Sequence, residues 1–94
     1  MEDNNMITIT TGTGFECNIA ADVMEDAVNW KLLHVIYDDT KSGIVKDSAY
    51  DELMNRMLGV KQMQQLLKHA PKVHDYLREC ADIFGQFSKI KKKS

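Results

Sequence analysis

Apolar and polar residues alternate along Met6-Ile7-Thr8-Ile9-Thr10, and the positions from Ile7 to Thr10 are all β-branched. That is the pattern of a half-buried strand. Thr11-Gly12-Thr13-Gly14 follows, with two glycines able to take positive φ in a tight turn. Phe15-Glu16-Cys17-Asn18-Ile19 then alternates again. The spacing predicts a β-hairpin over 6–19, with Ile7 and Ile9 on one face and Phe15, Cys17 and Ile19 likewise on one face. An isolated hairpin is barely stable in water, so its apolar face must lie on helices.

From residue 22 onward the period changes from two to about 3.6. Asp22-Val23-Met24-Glu25 has the form of a capping box, although Asp26 and Asn29 are alternative starts for the first helix. Ala27, Trp30, Leu33 and Tyr37 form its apolar stripe, widened by Leu32, Val35 and Ile36. Asp38-Asp39-Thr40-Lys41-Ser42-Gly43 reads as a polar loop. A second helix is then expected behind an Asp47 or Ser48 cap, with Tyr50, Leu53, Met54, Met57 and Leu58 at i, i+3, i+4, i+7 and i+8. Gly59 is expected to end it as a C′ residue. Val60, Met63, Leu66, Leu67 and Ala70 mark a short third helix, and Pro71 stops it or opens the next. Val73, Tyr76, Leu77, Cys80, Ile83, Phe84 and Phe87 make the longest stripe, in a last helix. The expected fold class is therefore α+β, mostly α: one domain over 1–94, its N-terminal hairpin packed on about four helices over 22–90. Residues 1–5 are expected to be disordered, and 91–94 to be a basic tail.

Composition narrows the function classes. With 94 residues and a formal net charge of -2, the chain has no basic excess of the kind nucleic-acid binders carry. Its start, Met-Glu-Asp-Asn-Asn, is acidic and polar, unlike a signal peptide, and no apolar run approaches a membrane span. A cytoplasmic location with no membrane partner is expected. The two cysteines, Cys17 and Cys80, form no C-x-x-C cluster; they are free thiols or a single disulfide, and free thiols are favoured.

No reaction chemistry emerges from the motifs. His69 and His74 are separated by Pro71 and do not share a helix face, and His34 stands apart, so no metal site is expected. Cys17 and Cys80 lie on apolar faces and read as small core residues, not nucleophiles. Asp47 reads as a cap, and Asp38-Asp39 as loop residues, better than either reads as a metal or acid–base pair. Thr11-Gly12-Thr13-Gly14 joins two strands instead of opening a helix, unlike a phosphate loop. An enzyme, a cofactor and a metal are all disfavoured. The run Lys89-Ile90-Lys91-Lys92-Lys93 could meet phosphates but lacks interleaved aromatics. A small nucleic-acid-binding regulator using the lysine-rich C-terminal helix is the alternative reading. Six methionines in a chain this short are mainly core fillers, yet methionine also suits adaptable binding surfaces. Trp30, Met54, Met57, Met63, Phe84 and Phe87 are the residues expected to present such a surface.

The layout resembles the small tail assembly chaperones of long-tailed bacteriophages and Gram-positive prophages. The resemblance begins at Ile9-Thr10-Thr11-Gly12-Thr13-Gly14-Phe15-Glu16-Cys17-Asn18-Ile19. It continues at Asn29-Trp30-Lys31-Leu32-Leu33, where the family tends to have an acidic pair before an aromatic and a double leucine; here Val28-Asn29 replaces that pair. Met57-Leu58-Gly59-Val60-Lys61-Gln62-Met63-Gln64-Gln65-Leu66 resembles the family's Leu-Leu-Gly stretch before a Lys/Gln-rich helix. A last helix with Ile83-Phe84 and a lysine-rich end completes the order, and the stretch before that helix is shorter than in the family. The resemblance implies a binding protein that keeps the long, helical tape measure protein soluble until tail tube protein polymerises around it. The tail tube protein is a second implied partner, and oligomerisation is left open. Such proteins act in the bacterial host's cytoplasm and are not retained in the virion. Many also exist in a longer, frameshifted form, with which the codons of Lys91-Lys92-Lys93 are compatible.

Overall fold

The alternating N-terminal segments form a hairpin. In the computed structural model, which describes residues 6–93 and side chains through Ile90, β1 (Met6–Thr10) and β2 (Glu16–Ala20) make a two-stranded antiparallel sheet. Residues 1–5 and Ser94, expected to be disordered and part of a tail respectively, lie outside the described residues. Ile7 pairs with Ile19 and Ile9 with Cys17, so a side-chain period of two puts all four on one face. Ile9, Cys17, Ile19 and the turn-end Phe15 are buried, whereas Thr8, Thr10, Glu16 and Asn18 face water. The turn closes through Thr11. Its N–H donates to the Phe15 carbonyl at 2.8 Å, and its hydroxyl accepts from the Phe15 N–H at 3.1 Å. Gly14, at φ 97, supplies the left-handed step that this closure needs.

Three helices follow: α1 (Ala27–Ile36), α2 (Gly43–His69) and α3 (Val73–Lys93). The chain is thus α+β and mostly α, but with three helices instead of about four. The reason is Gly59. Its backbone (φ 81, ψ 165) redirects the chain within one residue, so the two expected helices run on as the arms of a bent α2, with no loop between them.

Of the starts offered for the first helix, Asp26 is the one observed, whereas the start of α2 differs from expectation. Asp22 heads only a 3₁₀ turn, Val23–Glu25, and makes no side-chain cap. The cap of α1 is Asp26, whose Oδ1 accepts from the N–H groups of Val28 at 2.8 Å and Asn29 at 3.3 Å. At α2 the cap is Ser42 and not Asp47 or Ser48; its hydroxyl accepts from the Val45 N–H at 3.3 Å. The polar loop is correspondingly shorter. It is tightened by Asp38, whose Oδ1 accepts from the Thr40 N–H at 2.9 Å and hydroxyl at 2.6 Å. Gly43, Ile44 and Val45 concealed this early start because they add nothing to the apolar stripe: all three are exposed.

The hairpin face, α2 and α3 share one core. Leu53, Met54, Leu66, Ile83 and Phe87 are its largest fully buried helical members, with Leu32, Leu33, Ile36, Tyr50 and Tyr76 packed partly buried against it. The apolar stripes are buried along only part of their length. Val73 and Leu77 at the start of α3, and Val60 and Leu67 on the second arm of α2, remain exposed.

The cap of α1 makes stability depend on pH. Backbone hydrogen bonds from Asn29 and Val28, and then Arg56, hold the Asp26 carboxyl below its ordinary range. Asp82, bonded by Gln86 and the Gly12 N–H, is lowered in the same sense. A carboxylate with a lowered folded pKa adds stability above its unfolded pKa and loses it as pH falls through the folded one. Thermal midpoints followed by circular dichroism should therefore drop as pH falls below the ordinary carboxylate range. Asp26→Ala should lower the midpoint at neutral pH and flatten that acid limb. An unchanged limb in the variant would count against the cap.

Candidate functional site

Five of the six residues expected to form a partner surface belong to the interior. Met54, Met57, Met63, Phe84 and Phe87 are all buried in the core. The correction has a simple cause: the hairpin, α1 and the two longer helices pack on one another over the faces that carry these residues, and Phe84 meets the rings of Tyr37 and Tyr50. Only Trp30 is exposed, with 53% of its surface accessible and its ring 4.0 Å from that of His34.

Among the described residues, α1 and the start of α2 carry one group of uncovered apolar side chains, beside those on the second arm of α2 and the start of α3. α1 is rich in apolar residues, yet its only buried residue is Asn29. The Asn29 Nδ2 donates to the Val23 carbonyl at 2.7 Å, and its Oδ1 accepts from Arg56 Nε at 2.5 Å. Arg56 also meets Asp26 at 3.2 Å. This polar anchor ties α1 to α2. Trp30 and Tyr37 are exposed on one flank of α1 and Val28 on the opposite flank, and Ile44 and Val45 are exposed beyond the loop; Tyr37 is 66% accessible and Ile44 84%. Single exposed apolar residues need no explanation, but several large ones on neighbouring segments mark a surface suited to a partner.

A second polar cluster fastens the hairpin to the helices. Gln62 Oε1 accepts from the Asn18 N–H at 2.7 Å, and its Nε2 donates to the Asn18 carbonyl at 2.8 Å. Gln86 Nε2 donates to the Thr10 carbonyl at 3.0 Å, and Asp82 Oδ2 accepts from the Gly12 N–H at 2.8 Å. These side chains occupy backbone groups that a two-stranded sheet leaves unpaired. At the turn tip, the Thr13 hydroxyl donates to Glu79 Oε2 at 2.7 Å and lies 2.8 Å from His69 Nε2.

That last trio superficially resembles a nucleophile with its base. A carboxylate only accepts, so the Thr13 proton is committed to Glu79, and the Thr13 oxygen must accept from His69 Nε2–H. A histidine that donates to a hydroxyl cannot withdraw its proton, so the arrangement fastens the turn and does not activate Thr13. The thiols are no better placed. Cys17 and Cys80 are free and buried, and burial pushes each up to about 11. Burial likewise raises Tyr50 to about 12. It also raises Tyr76, whose hydroxyl donates to Asp51 Oδ1 at 2.5 Å. Among the described residues no three His, Cys, Asp or Glu side chains converge to hold a metal ion, and no helix is long and apolar enough to cross a membrane.

Pattern reading missed Asn29, Gln62 and Glu79, although each interrupts an apolar stripe. Asn29 precedes Leu32, Leu33 and Ile36 at helical spacing, Gln62 lies between Leu58 and Leu66, and Glu79 lies between Tyr76 and Ile83. A polar residue in such a position must find a partner when buried, and that was the available signal. No protein-family model matches the chain, and neither a curated protein nor a solved structure does.

Proposed function

We propose that the chain is a tail assembly chaperone of a long-tailed bacteriophage or prophage, a non-enzymatic protein that binds the tape measure protein and keeps it soluble. The uncovered apolar side chains of α1 and early α2 carry this reading. Val28, Trp30, Tyr37, Ile44 and Val45 offer the adaptable apolar contact that a long amphipathic helix needs. The order of the hairpin, the Trp30-Lys31-Leu32-Leu33 segment, the Gly59 bend and the lysine-rich last helix supports the family assignment. On this reading the protein works in the host cytoplasm, leaves before the virion is complete, and meets tail tube protein only as it polymerises.

The test is co-expression with the tape measure protein encoded in the same genome. The expected result is a soluble complex that survives purification. The triple variant Val28→Ser, Trp30→Ser and Tyr37→Ser, altered only at exposed positions, should keep its fold and lose most of that complex. A tape measure protein that is no more soluble with the chain than without it overturns the reading. A salt-dependent shift of DNA or RNA that vanishes when the lysine run is removed would replace it with the nucleic-acid alternative.

A further inference from the structure

Among the described residues, Glu79 is the one buried side chain with a polar atom left without a hydrogen-bond partner. It is only 4% accessible, and Thr13 serves its Oε2, yet Oε1 is buried with no hydrogen-bond partner among the described residues. A buried carboxylate is normally paired, because an unserved oxygen carries the full cost of its lost hydration. Glu79 also lines a cleft of about 250 Å³, together with Thr13, His69, Ala70, Asp75 and Arg78. The cleft lies where the hairpin turn, the end of α2 and the first turns of α3 meet. Asp75 stands four residues before Glu79 on α3, so both carboxylates occupy the same side of the helix. The N–H donors that line the cleft leave Oε1 unserved: His69 Nε2 lies at the Thr13 hydroxyl, and Oε1 has no partner in Arg78 either.

We propose that this cleft is a binding site for a guanidinium group, one N–H serving Glu79 Oε1 and another the Asp75 carboxylate. A planar guanidinium offers several donors in a fixed fork, which suits two carboxylates one helical turn apart better than a point-like ammonium does. Oε1 is closed to bulk water, so binding requires the Glu79 carboxyl to turn Oε1 toward the cleft that Glu79 lines. The site is separate from the apolar surface of α1 and stands independently of the chaperone reading.

The experiment titrates the full-length, isotope-labelled protein with arginine amide, with a short peptide carrying one arginine, and with the neutral isostere citrulline amide. The amide signals of Gly12, Thr13 and residues 75–79 are followed by NMR. The expected result is a saturable shift at millimolar arginine amide or peptide, and none with citrulline amide. A response to both arginine probes marks a site open to a free small molecule. A response to the peptide alone marks a protein side chain as the source, and either result supports the guanidinium site. Glu79→Gln and Asp75→Asn should each weaken binding about ten-fold or more, the loss of one charge-assisted hydrogen bond. Asp75 is exposed, so its variant keeps the test decisive if the Glu79 variant folds poorly. No saturable shift with either arginine probe, an equal response to citrulline amide, or full binding by Asp75→Asn overturns the proposal.

Discussion

Phe87→Ala should remove about 3–5 kcal/mol of folding stability, the range for truncating a large aromatic in a packed core. Phe87 is 2% accessible and heads the fully buried side chains by volume. It lies in the single cluster that joins the hairpin face to α2 and α3, so its loss opens a cavity that no one element can close. A domain of this size has only about 5–15 kcal/mol in total. The variant should therefore unfold at a much lower urea concentration with an unchanged denaturant slope, as expected when stability and not native compactness is altered. Phe87→Leu should recover most of the loss, because a volume-conserving apolar swap typically costs under about 1.5 kcal/mol. A Phe87→Ala variant within about 0.5 kcal/mol of the parent would place Phe87 outside the cooperative core.

Gly59→Ala is the second large effect, by a different mechanism. At φ 81 and ψ 165 the Gly59 backbone occupies a region that is essentially reserved for glycine. A Cβ built there meets nothing within 4 Å, so the penalty is backbone strain alone, about 1–3 kcal/mol. Gly59→Val should then cost at least as much, and Gly43→Ala serves as the control. Gly43 also leaves open space for a Cβ but lies in the first turn of α2 without a positive φ. Alanine there should be neutral or slightly stabilising. Equal effects at both glycines, read by urea denaturation, would show that the bend is not held by Gly59.

The same two residues illustrate how legible the fold is. Phe87 is recognisable as core because Cys80, Ile83, Phe84 and Phe87 recur at helical spacing, and Gly59 as a break because it follows Leu58 at the end of a stripe. Whether the break separates two helices or bends one is invisible locally, since it depends on how both arms rest on the hairpin. The partner surface shows the same division more sharply. Met54, Met57 and Met63 are apolar on a helix face in either case. Only the packing of the hairpin and the other helices on α2 decides that they are buried, and that Trp30, Tyr37 and Ile44 are left outside.

What the sequence determined by itself is what its short-range periods encode. These are the hairpin with Ile7, Ile9, Cys17 and Ile19 on one face, the mostly helical remainder, the turn at Thr11–Gly14 and the core role of both cysteines. Each depends on residues within a few positions of one another, where backbone sterics and burial patterns act directly. The tertiary structure alone decided which parts of each stripe are covered, and brought together Thr13 and Glu79, 66 positions apart, and Thr13 and His69, 56 apart. Such pairings form only when separate elements pack, so a buried carboxylate with one oxygen unserved exists only in the folded chain.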